Sequence, residues 1–142
     1  MKAKNVLYAQ SGGVTSVINA TACAVIETAR KSKKINKVYA GKDGIIGALN
    51  EDLIDTSIEK AKEVKKLMHT PGGAFGSCRH KLQDAQQNER EYKRLIEVFK
   101  AHDIGYFFYN GGGDSQDTSN KIAEYTKAVS YTHLTLPTIC SV

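Results

Sequence analysis

Three short segments carry residue types suited to binding phosphate. The first is Gln10-Ser11-Gly12-Gly13, placed between an apolar run and an amphipathic one. A strand, a tight glycine turn and a helix start leave backbone N–H groups free, and these bind anions together with the helix dipole. Glycine lets the anion approach the backbone closely. The spacing is neither the dinucleotide Gly-x-Gly-x-x-Gly pattern nor the P-loop pattern with its lysine. The same residues also suit a plain strand-to-helix turn.

The second segment is Asn110-Gly111-Gly112-Gly113-Asp114-Ser115. Its glycines clear the backbone of side chains except for one carboxylate and one hydroxyl. Such a carboxylate can hold Mg2+ directly or through water beside a phosphate chain. Asp114 and Ser115 are equally good helix N-caps, and the two roles are compatible. Asp117 suits the first turn of the following helix better than a metal. The third segment, Gly76-Ser77-Cys78-Arg79, places a guanidinium in a glycine-rich loop. There it can pair with a phosphate, or simply be a surface arginine. His80 and Lys81 add positive charge, whereas His69 and His102 read as ordinary surface or helix-end residues.

The elements that must hold these segments are legible. Asn5 to Ala9 reads as a short buried strand, and Thr15 to Lys31 as a helix with Val17, Ile18, Thr21, Ala22, Val25, Ile26 and Ala29 along one face. Lys37 to Ala40 is a second strand, broken by Gly41-Lys42-Asp43-Gly44. Ser57 to Met68 reads as a lysine-rich helix with Asp55, Thr56 or Ser57 as cap. Thr70 to Leu82 is a loop. Glu89 to Ala101 is an amphipathic helix burying Tyr92, Leu95, Ile96 and Phe99. Ile104 to Tyr109 is an apolar strand, and a last helix runs from near Gln116 to Lys127. Strands alternating with helices predict an α/β domain with a mostly parallel sheet. Both glycine turns then fall at the carboxyl ends of strands, on one edge of the sheet, where ligands of such folds sit.

Composition bounds the partners. The chain has 142 residues, 41% apolar and 25% charged, enough for one domain and its core. Cys23, Cys78 and Cys140 fit neither a metal nor a disulfide framework and are expected to be reduced thiols. No run suits a signal peptide or a membrane span, so a cytoplasmic location is expected, with no membrane partner. The net charge of +5 gathers at Arg30, Lys31, Lys33, Lys34 and Lys37. With no aromatic residues interleaved, this cluster reads as a solvated helix end, and no nucleic-acid partner is expected.

Tyr-Ala-Gln-Ser-Gly-Gly (8 to 13), Gly-Ser-Cys-Arg (76 to 79) and Asn-Gly-Gly-Gly-Asp-Ser (110 to 115) stand in the order and spacing of the phosphofructokinase family. The resemblance spans about residues 4 to 127 and is strongest to the pyrophosphate-dependent bacterial branch, which shares stretches similar to Val38-Tyr39-Ala40-Gly41 and to Phe107 through Ser115. It implies a truncated three-layer α/β/α domain, the Rossmann-like half of the family fold. It also implies Mg2+-assisted, reversible phosphoryl transfer between pyrophosphate and fructose 6-phosphate, in a homo-oligomeric parent. By the same resemblance Gly12 would contact the donor phosphates through its backbone, Arg79 would bind the terminal phosphate, and Asp114 and Ser115 would complete the donor site. ATP-using relatives follow two glycines with Asp, Gly, then Ser or Thr. Here Gly113 occupies the Asp place and Asp114 the following Gly place. A carboxylate at 114 would repel the α-phosphate of a nucleotide, favouring pyrophosphate. With the usual Asp absent, Asp114 is the candidate metal ligand. ATP-dependent phosphofructokinase, an NAD kinase-like enzyme and a non-catalytic phosphate-binding module are the alternatives.

The family's Thr-x-Asp-x-Asp base motif and its Met-Gly-Arg sugar-phosphate motif have no counterpart, so this chain alone is expected to be inactive. After Ala128 there is no Asp, Glu, Lys or Arg. Residues 129 to 138 resemble the translated read-through of a transposase sequencing adapter; rich in β-branched residues, the run also suits a native strand. Residues 1–128 are therefore expected to form a partial donor-binding domain. Residues 129–142 are expected to be a non-native tail, poorly ordered or opportunistically docked. The truncated sheet should expose apolar surface and an unpaired edge.

Overall fold

The computed structural model describes residues 3–11, 18–78, 82–128 and 138–140. Five strands form one sheet: β1 (Lys4–Gln10), β2 (Ile35–Gly41), β3 (Leu53–Asp55), β4 (Ile104–Gly111) and β5 (Thr138–Cys140). Five α-helices accompany them: α1 (Ile18–Lys31), α2 (Ile45–Leu49), α3 (Ala61–Lys65), α4 (Glu89–Ala101) and α5 (Gly113–Ala128). The strand order is β3-β2-β1-β4-β5. Among the described residues only the β2–β3 pair is antiparallel; β1 is parallel to both β2 and β4, and β4 to β5. The mostly parallel α/β architecture expected from the alternating pattern is what forms.

Central β1 is buried on both faces, from Val6 through Gln10. This is why its sequence is a continuous apolar run rather than an alternating one. One face packs Leu7, Ala9, Phe107 and Tyr109 under α2, α4 and α5, with Ile45, Leu95, Phe99 and Ile122 in the same cluster. The opposite face packs Val6 and Val38 under α1 and α3, through Cys23, Ile26, Ala29 and Val64. Helices on both faces make the three layers. The α4 stripe is the one expected, Tyr92, Leu95, Ile96 and Phe99, with Val98 also buried. Each large side chain on it contributes roughly 1.5–3 kcal/mol by leaving water. Between α1 and β4 the second face stays open: a groove of about 430 Å³ is lined by Thr21, Ala24, Val25, Thr28, Ile35 and Phe108.

Two boundaries differ from the sequence expectation, and two short elements were not expected. The lysine-rich segment is not one helix. Asp55 accepts from the Ser57 N–H and starts a 3-10 turn at Thr56–Ile58; α3 follows, then a second 3-10 turn at Lys66–His69. The Thr56 hydroxyl donates to Val38 O and the Arg30 guanidinium donates to Thr56 O and Glu59 O, pinning the turn to β2 and α1. Only Val64 of α3 is buried, which is too little packing to hold a long lysine-rich helix together. Helix α5 begins at Gly113, not Gln116. The Ser115 and Gln116 N–H groups both donate to Gly112 O, so the third glycine, Asp114 and Ser115 form a helical first turn rather than a loop. The short α2 and β3 had no signal in the hydrophobic pattern.

The basic cluster is partly engaged, as a helix end should be. Arg30 and Lys31 close α1, and Lys37 pairs with Asp55 at 3.2 Å. Burial pushes the Asp55 carboxyl up, but hydrogen bonds from Ser57 and Lys37 outweigh it and leave the group below its usual range. Cys23 and Cys78 are free thiols. Among the described residues no helix is long and apolar enough to cross a membrane.

Candidate functional site

β1 sends the chain through α1 to β2 on one side, while β4 joins β1 on the other. The strand order therefore reverses at the β1–β4 pair. In doubly wound folds the connections from two such strands go to opposite faces of the sheet, and the crevice at their carboxyl ends is where ligands bind. In register Gln10 faces Asn110, and the Ser11 N–H donates to Asn110 O at 2.9 Å. The strand ends that lead into the two glycine segments therefore lie side by side.

A buried polar network fixes this end of the sheet. Asn110 Nδ2 donates to the Tyr8 hydroxyl at 2.8 Å, and Gln10 Nε2 donates to the same oxygen at 3.2 Å. Asn110 Nδ2 also reaches Ile18 O at 3.5 Å, tying β4 to the start of α1. Tyr8, Gln10 and Asn110 are all fully buried. Burial raises the Tyr8 hydroxyl above its ordinary pKa, against the pull of hydrogen bonds with Asn110 and Gln10. Burial pushes the Tyr109 hydroxyl up to about 12, opposed by a hydrogen bond with the Ser11 side chain. Both phenols are therefore neutral, rigid supports beneath the crevice. Gln10 Oε1 is buried without a donor among the described residues.

The arginine loop reaches the same place. The Ser11 hydroxyl donates to Cys78 O at 3.5 Å, and Phe75 packs edge-on to Tyr8 with ring centres 6.1 Å apart. The turn after β2 interlocks with this loop, its Asp43 N–H donating to Phe75 O at 2.8 Å. A Cβ on Gly44 would sit inside van der Waals contact of Gln10 O and 2.9 Å from Cys78 Sγ. Similarly, Gly111 lies so close to Ser11 O and the Ser115 hydroxyl that no side chain fits. Backbone from four segments thus meets at the carboxyl ends of β1 and β4.

Of the residues singled out in the sequence, Gly12, Gly13, Arg79, His80 and Lys81 lie outside the described residues, as does the Asp114 side chain. Their described neighbours converge: Ser11 before Gly12, Cys78 before Arg79, and Gly113 and Ser115 around Asp114. Ser115 is buried against Gly111 in the first turn of α5. Asp117 pairs with Lys121 at 2.9 Å and is not part of the crevice. His102 packs edge-on to Tyr39 and sits 3.3 Å from Glu51, which is structural. Among the described residues no three His, Cys, Asp or Glu side chains are grouped to hold a metal.

Sequence reasoning missed Asn19 and the support role of Tyr8, Gln10 and Asn110. The signal for Asn19 was available: an amide on the otherwise apolar stripe Ile18, Ala22 and Ile26 of a helix, where asparagine is a poor former and must find buried partners.

A mostly parallel sheet with helices on both faces, whose strand order reverses at the β1–β4 pair, defines a doubly wound α/β domain. The phosphofructokinase family profile matches residues 5–140, and the chain belongs to that family. It is 61% identical over 132 residues to a pyrophosphate–fructose 6-phosphate 1-phosphotransferase of Methylococcus capsulatus, covering 92% of this chain and 31% of that protein. It is 59% identical over 132 residues to one of Halomonas elongata, covering 92% and 32%. Among solved structures, a pyrophosphate-dependent phosphofructokinase from Nitrosospira multiformis superposes with a TM-score of 0.85 at 62% identity, over 90% of this chain and 31% of that one. Phosphofructokinase from Pichia pastoris, at 18% identity and a TM-score of 0.75, shares the fold. The chain spans about a third of the length of these bacterial relatives.

Proposed function

We propose that this chain is the donor-binding part of a pyrophosphate-dependent 6-phosphofructokinase, a diphosphate–fructose-6-phosphate 1-phosphotransferase serving glycolysis. The reaction breaks the bridging P–O bond of pyrophosphate and forms a bond from phosphorus to the 1-hydroxyl oxygen of fructose 6-phosphate, releasing phosphate. The hydroxyl proton goes to a base that this chain does not contain, and the chain alone does not turn over.

The observation that carries the reading is the meeting of Ser11, Cys78, Gly111 and Ser115 at the β1–β4 switch point. It supports backbone contact with the donor phosphates from Gly12. It supports a cationic clamp from Arg79 on the terminal phosphate, and donor contacts from Ser115 and the start of α5. Phosphoryl transfer is governed by positioning and by electrostatic neutralisation, which these groups supply. Asp114 would hold a Mg2+ ion directly or through water, and the ion would supply neutralisation of the donor's negative charge.

The donor preference rests on residues 113 and 114. Fructose 6-phosphate phosphorylation by the chain extended to the length of its relatives is expected with pyrophosphate and only weakly with ATP. Activity with neither donor would defeat the assignment; ATP preference would defeat the reading of Asp114. We also propose that residues 129–142 are a read-through tail, on the loss of charged residues after Ala128 and the adapter-like sequence. Coding DNA across Ala128 with codons unlike the adapter would refute this.

A further inference from the structure

The loop that carries Arg79 has no regular structure of its own from Thr70 to Cys78. Something else must hold its backbone. Asn19, on the first turn of the described α1, is fully buried and spends its whole amide on this loop. Its Nδ2 donates to Thr70 O and to Gly72 O, both at 2.6 Å. Its Oδ1 accepts from the Ala74 N–H at 2.9 Å. Both amide hydrogens and the carbonyl are therefore used, which only asparagine can supply at this length. One side chain thus links α1 to the loop before Arg79.

We infer that Asn19 is a positioning residue for donor binding. It holds the Thr70–Cys78 backbone, whose Cys78 meets Ser11 at the end of β1, and so acts on the donor through the neighbouring Arg79. This rests on the donor-site reading of Arg79. The physical reason is preorganisation: a loop held before the ligand arrives does not lose its freedom on binding.

The inference makes Asn19 act through Arg79, and a double-mutant cycle measures that. Pyrophosphate affinity would be followed by calorimetry, with Mg2+, for the unaltered chain, Asn19→Ala, Arg79→Ala and the double variant. Asn19→Ala is expected to weaken binding about tenfold alone and hardly at all in the Arg79→Ala background. Hydrogen exchange supplies a readout independent of ligand. Amides from Ala74 to Cys78 should exchange at least about tenfold faster in Asn19→Ala, while those of Leu7 and Phe107 stay protected. Asn19→Asp keeps the acceptor for Ala74 but turns an oxygen on two carbonyls. It should retain part of the Ala74 protection and still lose affinity. Equal weakening by Asn19→Ala with and without Arg79 would overturn the inference while leaving the donor site standing. So would exchange that rises throughout β1 and β4. Absence of pyrophosphate binding by the unaltered, folded chain would remove the donor-site reading, and this inference with it.

Discussion

The convergence of segments at the crevice can be tested with three glycines that differ in surroundings. Gly44 has φ 71° and ψ −138°, a region that residues with a Cβ avoid. Its Cβ would meet Gln10 O inside contact distance and Cys78 Sγ at 2.9 Å. Gly72 has φ 76° but nothing within 4 Å of an added Cβ. Gly113 has open space and lies in α5. Alanine at 72 isolates the backbone cost, about 1–2 kcal/mol. Alanine at 113 should be neutral or stabilise by up to about 1 kcal/mol, through lower backbone entropy in the unfolded chain. Alanine at 44 adds to its backbone cost the displacement of a carbonyl at the end of the central strand, and should cost about 3–5 kcal/mol. That is a large part of the 5–15 kcal/mol typical of a domain. In urea, with a slope of about 1–3 kcal/mol per M, the midpoint should fall by roughly 2 M for Gly44→Ala and by under about 1 M for Gly72→Ala. A Gly44→Ala loss within about 0.5 kcal/mol of that for Gly72→Ala would refute the close approach of the β2 turn, the end of β1 and the arginine loop.

Other outcomes follow from the same contacts. Phe107 lies between Phe99 and Tyr109, with ring centres at 5.4 and 5.7 Å; Phe107→Ala should cost about 3–5 kcal/mol, read as a lowered urea midpoint by circular dichroism. Asn110→Leu removes the donor to Tyr8 and the link to Ile18 O; it should cost about 1–3 kcal/mol in denaturant unfolding. Tyr109 is raised from 10.0 to about 12 when folded. The folded state then holds a proton that the unfolded state loses, so stability is intact below about pH 10 and declines as pH rises toward 12, by roughly 3 kcal/mol in all. Unfolding midpoints measured across that range, with tyrosinate absorbance recorded alongside, should show it; a flat profile would contradict the burial of Tyr109.

The long periodic elements were legible in the sequence because their signal is local. The α4 stripe and the apolar runs of β1 and β4 state their own burial, and glycine turns at strand ends state where a ligand edge lies. The split of residues 56–69 into 3-10, α and 3-10 pieces was not legible. It depends on Thr56 and Arg30 finding partners on β2 and α1, far away in the chain. The start of α5 was misplaced because three glycines argue against helix by propensity, yet the first turn of a helix makes few of its own bonds and here closes on Gly112 O.

The sequence by itself determined the α/β class, the order of the three phosphate-suited segments and the unusual Gly113-Asp114 pair. Those follow from residue type and from spacing along the chain. Only the tertiary structure decided that β4 pairs with β1 opposite β2, which brings Gln10 to Asn110. Only it revealed that Asn19 holds the arginine loop, 51 to 55 residues away in the chain. Pairing and buried hydrogen bonds join residues remote in sequence, and no local pattern encodes which partner a buried amide will meet.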